Sequence, residues 1–78
     1  MSITNLLKQL NFTTPVVQAY IISENAPKRK VSVSPSGQPY EGDGDIWFNG
    51  VVVGSGEQLQ FHWNEEKEYW DYYDEEQE

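Results

Sequence analysis

Cysteine is absent from this chain, which removes disulfide scaffolds, zinc–thiolate centres and thiol nucleophiles from consideration. Histidine occurs once, at His62, and no serine–histidine–aspartate spacing surrounds it from which a nucleophile–base relay could be built. Basic residues are scarce, five against thirteen acids, for a net charge of −8. No apolar run approaches the ~20 residues of a membrane span, and Met1-Ser2-Ile3-Thr4-Asn5 lacks the basic opening of a secretory leader. A cytoplasmic, soluble protein is the expectation. Seventy-eight residues is about half the usual allotment for a domain, so one core without a deep catalytic cleft is expected, and the chain reads as no enzyme.

What the chain does have is aromatic bulk. Three Trp, five Tyr and three Phe make up 14% of the residues, and each ring can bury on the order of 150–250 Å². The charge is also unevenly placed. Up to Tyr40 four bases (Lys8, Lys28, Arg29, Lys30) stand against Glu24, whereas from Glu41 onward twelve acids stand against Lys67. Direct binding of nucleic acid is disfavoured for such a C-terminal half, because phosphate affinity rests on cationic side chains releasing counterions. A partner protein with a basic surface fits better, since opposite potentials steer encounter.

Local patterns point to an α+β fold. Ile3, Leu6, Leu7 and Leu10 recur at i, i+3, i+4 and i+7 behind a Ser2 cap, which predicts an amphipathic helix from Ile3 to Leu10. Residues 16–23 are β-branched and aromatic enough for a well-buried strand. Asn25-Ala26-Pro27 then turns the chain into the alternating run 29–34, giving a hairpin with Val31 and Val33 inward. Residues 34–45, with two prolines and three glycines, read as one long loop. Asn49-Gly50 between apolar triplets predicts a two-residue type I′ turn with Phe48 opposite Val51 and Trp47 opposite Val52. The alternative is a bulge, which would make 46–53 one long bent strand. A short helix packed on an antiparallel meander of four to six strands results, either open or curled into a small barrel.

Residues 58–63 alternate cleanly, with Leu59, Phe61 and Trp63 inward. The stretch after them has two readings, a helix capped by Asn64 or a hairpin with Asn64-Glu65-Glu66-Lys67 as its loop. The hairpin register sets Trp63 opposite Glu68, Phe61 opposite Trp70, Leu59 opposite Tyr72, His62 opposite Tyr69 and Gln60 opposite Asp71. Apolar meets apolar in the Phe61–Trp70 and Leu59–Tyr72 pairs and polar meets polar in the His62–Tyr69 and Gln60–Asp71 pairs, which favours the hairpin, since a one-residue slip would reverse every face. Phe61, Trp63, Trp70 and Tyr72 then form the inner layer of a domain spanning 1–73, and residues 74–78 a disordered acidic tail.

The outer face of that hairpin is the candidate site. His62, Tyr69, Asp71 and Tyr73, with Glu65, Glu66 and Glu68 in and beside the loop, form a partner-binding surface, because exposed aromatics among charges resemble interface hot spots. The competing explanation is that a small sheet poor in leucine packs with tyrosines and leaves their hydroxyls outside. Glu41, Asp43 and Asp45 alternate as calcium ligands do, but Ile46 and Val52 stand where an EF-hand requires glycine and a bidentate glutamate. They are weak metal candidates, and no dedicated metal site is expected. The glycines form no phosphate-binding pattern, so no cofactor is expected. Lys28, Arg29 and Lys30 read as charge protection of a strand edge.

Two functions compete. The first is an acidic, non-catalytic inhibitor or regulator that offers spaced carboxylates to a basic, nucleic-acid-binding groove on another protein. In size and composition the chain is similar to phage-type DNA-mimic inhibitors, a resemblance of charge without a shared motif. The second is an accessory or assembly subunit of a larger cytoplasmic complex, docked through aromatic residues. A homodimer is compatible with either, and no membrane association is expected.

Overall fold

The computed structural model describes residues 3–74, with side chains from Thr4 onward. In chain order the elements are α1 (Ile3–Gln9), β1 (Val17–Ser23), β2 (Arg29–Pro35), β3 (Tyr40–Gly42), β4 (Asp45–Val52), β5 (Gln58–Asn64) and β6 (Tyr69–Asp74). The sheet order is β2-β1-β6-β5-β4-β3, and β2 also pairs with β4. That extra pairing closes five strands into a mixed barrel and leaves β3 as an added sixth strand.

The expected α+β arrangement is therefore corrected. The protein is mainly β, and its one short helix packs against β3 and β4. Leu6, Leu7 and Leu10 rest on the core as the periodicity predicted, while the Ser2 cap lies outside the described residues, as do residues 75–78 of the expected tail. Asp74 closes β6 opposite Ser23. A plain meander would pair only successive strands. Here β1 meets β6 in parallel, Tyr20↔Asp71 through Ser23↔Asp74, and β2 meets β4 across Val33↔Val52, Ser34↔Val51 and Pro35↔Gly50.

The core is Ala19, Ile21, Val33, Ile46, Phe48, Val52, Phe61 and Trp70. These are alternate residues of the five barrel strands, the inner half of a period-two pattern. Phe48 stacks on Phe61 at 5.3 Å and meets Trp70 edge-on at 4.7 Å. Phe12, on the link between α1 and β1, packs its ring against Phe48 and Trp70 at 4.9 and 5.8 Å. The Gln38 side chain holds the Phe12 backbone at two points, accepting from its N–H at 2.7 Å and donating to its carbonyl at 3.2 Å.

Three local expectations change. Asn49-Gly50 is not a turn, because β4 runs straight through it and pairs Phe48 with Phe61 and Trp47 with His62. A type I′ turn needs φ above zero at both central residues. That geometry occurs instead at Asp43 and Gly44, with φ of 52° and 79°, between the paired residues Gly42 and Asp45. The long loop 34–45 accordingly contains β3 and a tight hairpin. In the last hairpin the pairing is His62↔Asp71, Trp63↔Trp70 and Asn64↔Tyr69, displaced by two residues from the expected register. Asn64 causes this. Its side chain accepts from the N–H of Lys67 at 2.9 Å, its carbonyl accepts from the N–H of Glu68 at 2.6 Å, and Glu68 takes a left-handed φ of 63°. The loop becomes 65–68, and a shift of two preserves both faces.

Candidate functional site

The outer surface of β4, β5 and β6 is organised around His62. This residue lies opposite Trp47 on one side and opposite Asp71 on the other. Its Nε2 is 3.5 Å from Asp45 Oδ1 and its Nδ1 is 3.5 Å from Asp71 Oδ1, so one imidazole spans carboxylates on two neighbouring strands. A protonated ring has an N–H for each, and a neutral ring has one for only one of them. Trp47 leans against the imidazole at 5.1 Å while its indole N–H donates to the Gly42 carbonyl at 2.8 Å, which fixes both the ring and the β3–β4 hairpin.

Asp71 follows the strand alternation to the outer face, yet it is only 1% exposed. β6 is a central strand here, so its flanks are occupied by Tyr20 of β1 and His62 of β5. Oδ2 accepts from Asn64 Nδ2 at 3.2 Å, whereas Oδ1 is buried without a hydrogen bond. Buried carboxylate oxygens ordinarily have partners, and the polar group facing this one is the His62 Nδ1 at 3.5 Å.

The other candidate residues fall into distinct surroundings. Tyr69 packs on Tyr20 at 4.6 Å, and the ammonium of Lys28 lies 5.0 and 5.1 Å from the centres of the two rings. Tyr73 is 60% exposed and lines a cavity of about 410 Å³ together with Asp45, Trp47, Gln60, His62 and Asp71. Glu65, Glu66 and Glu68 are exposed in the β5–β6 turn. That turn lies beside the β3–β4 turn, because Gly44 and Asp45 share a 200 Å³ hollow with Asn64 and Glu65 over Leu6. The carboxylates of Glu41, Asp43 and Asp45 thus belong to the same end of the barrel as those of the last hairpin. Among the described residues, no three His, Asp or Glu side chains converge so as to hold a metal ion.

Neither a family model, nor a curated protein, nor a solved structure matches this chain. The functional reading rests on its own residues.

Several residues of the site are not obvious from the sequence. Tyr40, Asn49 and Gln60 form a polar row beside Trp47, with Gln60 Nε2 donating to the Tyr40 hydroxyl at 2.7 Å and that hydroxyl 3.4 Å from Asn49 Oδ1. Alternation of Asp45, Trp47 and Asn49 along one strand would have shown them, but only if Asn49-Gly50 is read as strand. Among the described residues no helix is long and apolar enough to cross a membrane.

Proposed function

We propose that this protein is a non-catalytic regulator that binds a basic surface on another protein, with spaced carboxylates taking the positions that phosphates would occupy in a nucleic-acid-binding groove. The observation that carries this reading is the side-by-side placement of two acidic turns, 43–45 and 65–68, at one end of the barrel. Lys67 is the one base within the two turns, and the Lys28 ammonium reaches the ring of Tyr69, the residue that follows the 65–68 turn. Clustered charge of one sign raises association rates with an opposite surface and makes binding depend on salt.

The test is affinity against ionic strength for a partner captured at low salt and then purified. A mimic predicts a steep loss with rising salt, and a smaller slope for Glu65→Gln/Glu66→Gln/Glu68→Gln, whose positions are exposed and whose shapes are kept. Equal affinity of wild type and variant across the salt range would sink the proposal. The accessory-subunit reading draws on the 60% exposure of Tyr73. It predicts the opposite pattern, salt-insensitive binding that is lost with Tyr73→Ala.

A further inference from the structure

The two ends of the barrel differ in what their inward positions carry. Toward the acidic turns those positions stay apolar, with Ile46 and Trp70 buried and Trp63 packed on the core. Toward the other end each strand changes character past its last apolar residue. On β1 Ile21 is followed at the next inward position by Ser23, and on β6 Tyr72 is followed by Asp74. On β2 Val31 is preceded by Arg29, which pairs directly with Ile21 and so shares its face. Leu59 begins the inward series of β5, and Glu57 stands just before that strand, its carbonyl accepting from the N–H of Val52 at 2.9 Å.

These residues surround a cavity of about 540 Å³, in which Ile21, Leu59 and Tyr72 supply an apolar wall and Arg29, Glu57 and Asp74 supply charge. That volume falls within the roughly 300–1,000 Å³ of small-molecule sites, which favour the mouths of β-barrels. One base and two acids face a single space, yet Arg29 forms no ion pair with either of them or with any other carboxylate among the described residues. The strand order explains this. β1 lies between β2 and β6, which sets Arg29 and Asp74 two strand spacings apart, roughly 10 Å. Asp74 is also opposite Ser23, two residues beyond the Ile21 to which Arg29 is paired. Opposite charges are thus held apart across an apolar floor.

We propose that this mouth binds a small zwitterion with an apolar body, the chemistry of a free α-amino acid with an aliphatic side chain. Arg29 presents a planar fork of N–H donors that matches a carboxylate. Glu57 and Asp74 accept from an ammonium, and Ile21, Leu59 and Tyr72 take the side chain. A ligand with only negative charge would meet two carboxylates, and one with only positive charge would meet the guanidinium. A purely apolar ligand would strip water from all three charged groups. Only a molecule carrying both signs is complemented throughout. The site lies at the opposite end of the barrel from turns 43–45 and 65–68, so it is independent of charge mimicry there.

The test titrates the full chain with L-leucine and follows its amide signals by NMR. Shifts should concentrate at Ile21, Arg29, Leu59 and Tyr72 and leave the 65–68 turn unmoved. Three further probes each delete one part of the ligand: leucinamide lacks the carboxylate, N-acetyl-leucine lacks the ammonium, and glycine lacks the side chain. Each should bind about tenfold or more weaker, the loss expected of one charge-assisted hydrogen bond or one buried aliphatic group. Leucinamide and N-acetyl-leucine also stand for the first and last residues of a peptide. Binding of either as tight as that of leucine would overturn the zwitterion in favour of a chain end. Arg29→Gln, at an exposed position, should weaken leucine about tenfold without weakening leucinamide, and Glu57→Gln should weaken leucine without weakening N-acetyl-leucine. Equal loss of both ligands in either variant would remove the assigned contact. An absence of shifts at the mouth with millimolar leucine, or equal affinity for all four probes, would overturn the proposal, and both are read on the wild-type protein.

Discussion

Replacing Gly50 by alanine tests the way β4 closes the barrel. A Cβ at this position would stand 2.5 Å from Val33 Cγ1, 3.0 Å from the Ser34 carbonyl oxygen and 3.1 Å from Phe48 Cε2. None of these can withdraw easily. Val33 and Phe48 are fully buried, and Ser34 belongs to the three-residue ladder that joins β2 to β4. Overpacking of this kind costs about 1–3 kcal/mol, and the gain from restricting an unfolded glycine, about 0.4–1 kcal/mol, offsets only part of it. Because a backbone oxygen is among the clashing atoms, the upper end of the range applies, a net loss of about 2 kcal/mol. For a domain of this size that is a fall in Tm of about 8–16 °C. Urea and thermal unfolding followed by tryptophan emission would measure it, with Gly37→Ala, where nothing lies within 4 Å, as the control. A Gly50→Ala stability within about 0.5 kcal/mol of wild type, the range of an ordinary surface change, would refute the close approach of β4 to β2. The same result would reopen the reading of Asn49-Gly50 as a turn.

Gly44 is the converse case, with open space around it but a φ of 79°. Gly44→Ala should cost about 1–2 kcal/mol from backbone strain alone, measured by urea unfolding, whereas Asp43→Asn should be neutral because asparagine tolerates the left-handed region. Phe12→Ala removes a ring packed edge-on against Phe48 and Trp70 and should lower unfolding free energy by about 2–4 kcal/mol, with a shift in tryptophan emission. Gln38→Ala, which deletes both bonds to the Phe12 backbone, should cost about 1 kcal/mol and speed exchange of the Phe12 amide more than that of core strands. A double-mutant cycle of Lys28→Ala with Tyr69→Leu should return a coupling of about 0.5–1 kcal/mol, and a coupling near zero would show that the ammonium does not sit over the rings.

The sheet converts a repeat of two into two layers with different duties. Inward residues supply the aromatic core, and their packing fixes which outward residues become neighbours. His62 is an example. It touches Asp45 and Asp71 only because Phe61 and Trp63 on either side of it face the barrel interior, and because β5 lies between β4 and β6. Asp71 shows the cost of the arrangement, since a central strand leaves its outward carboxylate covered on both flanks.

Much of this was already legible in the residues. The helix stripe of Leu6, Leu7 and Leu10, the strands around Val17–Ser23, Arg29–Pro35 and Gln58–Asn64, and the division of the last hairpin into inner and outer layers follow from local periodicity, which is a property of consecutive residues. Hairpin register was legible only modulo two, because alternation specifies a face and not a position along it. Tertiary structure alone decided the rest. Glycine at position 50 serves a close approach to Val33, and no neighbour in sequence records that contact, so the same dipeptide that signals a turn elsewhere sits inside a strand. Barrel closure depends on β1 meeting β6 and β2 meeting β4, pairings between segments far apart in the chain. From that closure come the adjacency of the two acidic turns and the burial of Asp71, neither of which any single strand carries by itself.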